Sequence, residues 1–374
     1  MHVVMIILQK EIPVCLSVLL DRLKNEVTRL TAVRAMTTIC QSSLKISLQP
    51  IFAQMVSELS EFLRKNQRSL RLSTIQLLDC STNRYENLLS QDLIQRIIIE
   101  LPALINETDL QIAQMAVELL SDLLRVNPSY VANSLQPCMT SVIRLIQSPL
   151  LQGSSLNTIC KFLTALITAN LEWPKFAHLK DILTKTAYDI AQSSTGVALS
   201  VIASSSSHHL PTTTAVHGSI NHRQAYQNSA KCLAALVATC PEEAEETLND
   251  LINNLRENSK CNDFVQLFSL LALGEIGREC PRVIENRQIE LSIMRGFQAH
   301  NEETKSAASQ ALGSLAVGNL GKYLPFVLSE IQSQPKRQYL LLHSLKEIIS
   351  SESASAEVDS ILSIFKPHID QIWN

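Results

Sequence analysis

The feature that most constrains this chain is a hydrophobic pattern that returns about every forty residues. It is clearest from Asn301 to Ile331. Polar residues Asn301 to Thr304 lead into a predicted helix in which Ala307, Ala308, Ala311, Leu312 and Leu315 recur at three- and four-residue steps. The break at Gly318 and Asn319 ends that helix, and a second one is expected from Tyr323. The triplet Ala311-Leu312-Gly313 has a counterpart thirty-nine residues earlier, at Ala272-Leu273-Gly274, and a looser one around Ala230 to Leu236. Upstream, Ala35, Ile75 and Met115 stand forty residues apart, and Leu156 follows at about the same interval. Partner helices are expected between these segments: Ile12 to Leu23, Pro50 to Leu63, Leu93 to Ile105, Leu135 to Ile146, Trp173 to Tyr188, Ala244 to Leu255, Ile284 to Phe297 and Tyr323 to Ile331.

Two helices per unit of about 40 residues is the signature of HEAT and armadillo repeats, whereas ankyrin and tetratricopeptide units run nearer 33 or 34. Each unit exposes apolar area that only its neighbours can cover, so the expected fold is all-α, an α-solenoid with a continuous internal seam. Ala35, Ile75, Met115, Leu156, Ala230, Leu271 and Ala308 should lie in that seam, on second helices. The expected organisation is one array over residues 1–374, of eight to nine units. Two interruptions break the period: a Ser- and His-rich stretch at 191–223, read as a disordered loop, and a short loop at 350–360. The opening unit lacks a polar first turn, and the end at Ile369, Ile372 and Trp373 is apolar, so the array is expected to belong to a longer solenoid.

Composition narrows the function classes. Apolar residues make up 46% of the chain and aromatic ones only 5%, with 9 Gly, which suits helix packed on helix and leaves few strand signals. A net charge of −3 and no long Lys/Arg run argue against nucleic acid as a principal partner. The apolar run Val3 to Leu8 is interrupted by Gln9, Lys10 and Glu11, so it is too short for a membrane span or a secretory core. The nine cysteines are scattered without a close Cys-x-x-Cys pair, which reads as buried thiols and gives no zinc site. His208, His209, His217 and His222 have no Cys or Asp at ligand spacing and read as a solvated polar loop. No phosphate cradle, His-Glu-x-x-His or nucleophile elbow occurs, and the Glu242 to Glu246 run suits a helix start. The expectation is a protein-binding scaffold with no catalytic, cofactor or metal residues.

Several stretches carry a more specific signal: LLDRLKNEVTRLTAVRAMTTI, FLRKNQRSLRLSTIQLLD, SPLLQGSSL, AKCLAALVATCPEE and, above all, NEETKSAASQALGSLAVGNLGKYLPFVLSEIQSQPKRQYLLLHSLKEIIS. They closely resemble the cullin-associated and neddylation-dissociated proteins, also called TATA-binding-protein-interacting proteins, over nearly the whole chain, as a central to C-terminal section. The resemblance implies a long HEAT solenoid of cytoplasm and nucleus that clasps unneddylated cullin with its RING subunit. It implies competition with adaptor and substrate-receptor modules in assembling cullin-RING (SCF-type) ubiquitin ligases, with no catalytic residue to carry over. The stretch around Ser193 to Val216 and the residues around Ser353 to Leu362 are longer than the family pattern, and the family's flanking thirds are absent, so this section is expected to keep only part of the cullin contact. Two other classes share the repeat: a nuclear transport receptor, which would carry acidic cargo loops that this chain lacks, and a passive scaffold subunit.

Polar positions on second helices are the expected partner contacts: Arg34 in the first full unit, Arg71 and Gln76 in the next, Gln114 and Glu118 in the third, and Lys336 with Arg337 before the last helix. Arginine suits such a surface because its planar fork pairs bidentately with carboxylates.

Overall fold

The computed structural model describes residues 2–44, 46–185, 214–256, 263–285 and 288–352. Regular structure among them is helical throughout, and no strand occurs among the described residues. The chain divides into two compact units, the first holding residues 1–146 and 150–175, the second 147–149 and 176–374.

In the first unit the helices are α1 (His2–Lys24), α2 (Arg29–Gln41), α3 (Phe52–Phe62), α4 (Arg68–Arg84), α5 (Gln91–Ile98), α6 (Leu101–Leu104), α7 (Leu110–Val126), α8 (Pro128–Ile146) and α9 (Gly153–Thr168). They form two layers. The second helices α2, α4, α7 and α9 stack in that order, while α1, α3, α5 and α8 form the other layer. The expected helix over Leu93 to Ile105 is in fact two, because Pro102 begins a new turn at α6. Ser90 caps α5 by accepting from the Leu93 amide, and Asp109 caps α7 through Ile112, each satisfying an amide that the helix cannot pair internally. Val33, Met36, Ile75, Ile94, Val117 and Leu163 lie between the layers, essentially out of water. Burying each such side chain contributes about 1.5–3 kcal/mol.

The second unit contains a helical segment over residues 176–185 (α10), then α11 (Thr214–Thr239), α12 (Ala244–Asn254), α13 (Asp263–Glu279), α14 (Pro281–Ile284), α15 (Ile289–Gly296), α16 (Glu302–Gly318), α17 (Leu320–Ser333) and α18 (Gln338–Glu352). Its second-helix stack runs α11, α13, α16, α18. Asn301 caps α16 and Asn319 caps α17, so the Gly318-Asn319 break read from the sequence both ends one helix and starts the next. The start of α17 at Leu320 precedes the expected Tyr323 for the same reason.

The expected loop at 191–223 needs correction at its end. Residues 214–223 are the first turns of α11, since a helix already nucleated and packed gains one hydrogen bond for each residue added. Residues 191–213 lie outside the described residues. Residues 350–352 close α18, and the rest of the expected 350–360 loop is likewise outside.

All seven residues expected in the seam are on second helices. Ile75, Leu156, Ala230, Leu271 and Ala308 are buried, whereas Ala35 and Met115 are only half-buried, at the outer edge of α2 and α7.

Candidate protein-binding surface

The period has a direct structural counterpart in the hydrogen bonds between successive repeats within each unit. In the first unit the cross-ties join residues separated by about one repeat. Arg68 Nε and a terminal nitrogen grip Asp109 at 2.5 and 3.2 Å. Asn83 donates to Asp122 at 2.9 Å, and Tyr85 Oη donates to the Ile46 carbonyl at 2.7 Å. Ser154 Oγ donates to Gln114 Oε1 at 2.9 Å and Thr158 Oγ1 to Glu118 Oε1 at 3.2 Å. Each of these pairs spans 39 to 41 residues. In the second unit Lys180 reaches Glu246 and Asp250, 66 and 70 residues away, because the segment 186–213 intervenes.

These ties decide which polar residues remain to meet a partner. Arg34 is exposed on α2, and no hydrogen bond or ion pair engages its guanidinium among the described residues. Gln76 is exposed on α4. Arg71, also on α4, is half-buried, and its Nε is shielded from water without an acceptor. Gln114 and Glu118 are differently placed from what the sequence suggests. Gln114 Nε2 donates to Glu118 Oε1 at 3.0 Å, and Gln114 Oε1 accepts from both Ser154 and Ser155, so the pair staples α7 to α9. Lys336 is exposed and Arg337 half-buried in the short turn Pro335–Arg337 that precedes α18. The structure therefore groups Arg34, Arg71 and Gln76 on the neighbouring helices α2 and α4, ties Gln114 and Glu118 into the fold, and holds Lys336 and Arg337 in the second unit.

Two polar clusters escaped the sequence reading. On α4 and α7, Asp79 shares a hydrogen bond with Asp122. Burial, that bond and the charges of Asp122 and Glu118 push the Asp79 carboxyl up to about 7. Asn83 and Arg125 flank it, Asn83 bonded to Asp122 and Arg125 Nε standing 3.7 Å from it. Adding one repeat to position 79 would have pointed to this region of α7, but not to which side chains meet. In the second unit an open groove of about 260 Å³ is lined by Arg223, Ser306, Gln310, His343, Lys346 and Glu347, among others. Arg223 donates to Ser306 Oγ at 2.7 Å and to Gln310 Oε1 at 3.0 Å, and burial lowers its pKa. Nothing in the repeat pattern marks Arg223, because it lies at the edge of the interrupted period.

Among the described residues no group of three or more His, Cys, Asp or Glu could hold a metal ion. No described helix is long and apolar enough to cross a membrane.

No family model matches the chain. Across its length, however, it is 39% identical over 371 residues to cullin-associated NEDD8-dissociated protein 1 of Drosophila melanogaster, covering 98% of this chain and 28% of that protein. The chain is homologous to the cullin-associated NEDD8-dissociated proteins. The Arabidopsis thaliana protein 1 is 35% identical over 374 residues, and the Mus musculus protein 2 is 33% identical over 359. The chain spans about a quarter of these relatives, 28% and 26% of their lengths. Among solved structures, Kap121p matches 96% of the chain and 35% of its own length with a TM-score of 0.50 at 15% identity, a likeness of fold alone.

Proposed function

We propose that this chain is a non-enzymatic scaffold that binds unneddylated cullin with its RING subunit. In that role it takes part in assembling cullin-RING ligases by competing with adaptor and substrate-receptor modules, in cytoplasm and nucleus. The observation that carries this reading is 39% identity over 98% of the chain with a relative named for cullin association. The likeness to Kap121p concerns the fold and favours no transport role.

Contact is assigned first to Arg34, Arg71 and Gln76, and then to Lys336 and Arg337. Gln114 and Glu118 are retained as contacts whose Oε1 atoms already accept from Ser154 and Ser155 and from Thr158, respectively. A long partner held by many modest contacts gains on-rate and register from such arginines more than raw affinity. Recombinant unneddylated cullin with its RING subunit should bind this chain with an affinity that falls as salt rises. Changing Arg34, Arg71 and Arg337 together to Glu should weaken binding about tenfold or more at unchanged helical content. Absence of binding at high micromolar cullin would overturn the proposal, and unchanged affinity in the triple variant would remove these residues from the contact.

A further inference from the structure

Cysteine spacing and repeat length coincide at one place in the first unit. Cys40, in the last turn of α2, and Cys80, on α4, are forty residues apart. The stack of second helices places these equivalent positions side by side, and the two Sγ atoms stand 2.7 Å apart, with the Cys80 thiol directed at Cys40. Both are free thiols. Cys40 is fully buried, whereas Cys80 is half-buried and so reachable by a small solute. The helix ends that carry them are held in register by Arg84, which donates to the Cys40 carbonyl at 2.6 Å and also to the Ser42 carbonyl. Tyr85 adds its bond to the Ile46 carbonyl just beyond. A disulfide cannot form across a misplaced pair without moving the chain. Here the packing of α2 on α4 already brings the two sulfurs together.

We infer that Cys40 and Cys80 are an oxidative modification site, at which a small disulfide such as oxidised glutathione converts the two thiols into a reversible bond between consecutive repeats. The chemistry balances in two exchange steps. The Cys80 thiolate attacks one sulfur of glutathione disulfide, breaking its S–S bond, forming a Cys80–glutathione mixed disulfide and releasing one glutathione as thiolate. The Cys40 sulfur then attacks Cys80 Sγ, forming the Cys40–Cys80 bond and expelling the second glutathione, whose thiolate takes the Cys40 proton. The protein loses two electrons and two protons, and the glutathione disulfide gains both. The order follows from the environment: burial and the adjacent Cys80 push the Cys40 thiol up to about 12, so it remains protonated and shielded until the mixed disulfide is beside it. The bond would fix α2 against α4 on the layer that carries Arg34, Arg71 and Gln76.

The test is peptide mapping of the whole chain after incubation with glutathione disulfide, followed by alkylation and proteolysis without reductant. The expected result is a peptide pair joined through Cys40 and Cys80, lighter by two hydrogens than the separate peptides and returned to them by dithiothreitol. The exposed Cys15 should instead carry glutathione, which confirms that oxidant was present, and the buried Cys138 should stay a thiol. In urea the joined pair should fall to the level of random pairing, since the fold and not the sequence brings the sulfurs together. The inference is overturned if Cys15 is fully modified while Cys40 and Cys80 are both recovered as thiols, or if Cys80 carries glutathione with Cys40 still free. It is equally overturned if the unfolded chain gives as much of the joined pair as the folded one.

Discussion

The two units stack their second helices by different means. In the first, neighbouring helices are held by side chains long enough to bridge a gap: Arg68 to Asp109, Asn83 to Asp122, Ser154 to Gln114 and Thr158 to Glu118. In the second, the helices come close enough for backbone to meet backbone. A Cβ added at Gly274 would stand 2.6 Å from the Ala311 Cα, and one at Gly313 would stand 2.9 Å from the Ser344 carbonyl oxygen. At Gly318 it would fall on the Gly277 carbonyl, 2.0 Å away. Hydroxyls here reach main-chain acceptors directly, Ser309 donating to the Leu340 carbonyl at 2.5 Å and Ser344 to the Ser309 carbonyl at 2.7 Å. The contrast shows that one repeat length can be built on two chemistries. Where the facing residues are Ala, Gly and Ser, dispersion between close backbones is added to the polar bonds.

That contrast can be broken most sharply at a glycine. Gly318→Ala gains about 1 kcal/mol of helix propensity, but it drives a methyl group into a neighbouring backbone that has no rotamer with which to yield. A net loss of about 2–4 kcal/mol is expected, with faster hydrogen exchange over α13 and α16. Gly153→Ala, in the first unit, meets open space, and its cost comes only from a φ of +58°, about 1 kcal/mol. Equal losses at the two positions would show that close approach is not what distinguishes the second unit.

A smaller effect is expected from the bridging residues. Asp109→Ala removes the cap of α7 and the acceptor of Arg68 together, and should cost about 1 kcal/mol from the cap. Arg68→Ala leaves the cap in place and should cost less, because the ion pair is solvent-exposed. The hydrogen bond from Arg68 holds the Asp109 carboxyl below its ordinary value of 3.8. Its contribution is therefore present above that pH and lost as the pH falls through the lowered pKa. Urea unfolding of the two variants at neutral and acid pH checks both statements. Should Arg68→Ala prove the more damaging, the cap would not be the main term.

The change that reads the interface through its pH dependence is at Asp79. Its carboxyl is raised from 3.8 to about 7, so the folded chain binds a proton there that the unfolded chain has released. Over that window stability should fall as pH rises, the opposite sign to Asp109. Asp79→Asn keeps a neutral partner for Asp122 and should flatten the melting temperature between pH 4 and pH 7, raising it at the neutral end and leaving it nearly unchanged at the acid end. A variant melting below the parent at pH 7 would mean that Asp79 is ionised and stabilised there instead.

The sequence by itself determined the repeat, the assignment of Ile75, Leu156, Leu271 and Ala308 to second helices, and the boundary at Gly318 and Asn319. Those features depend on helical periodicity and on local capping chemistry, which neighbouring residues dictate. It also supplied the small-residue pattern of α13 and α16, without revealing that a methyl group would not fit there. Tertiary structure alone decided that Gln114 and Glu118 bond to α9, that Asp79 meets Asp122, and that Cys40 meets Cys80. A period of forty tells which turn of one helix faces which turn of the next. The rotation of each helix about its own axis, and the few tenths of an ångström that separate contact from a gap, are set by the packing of both layers at once.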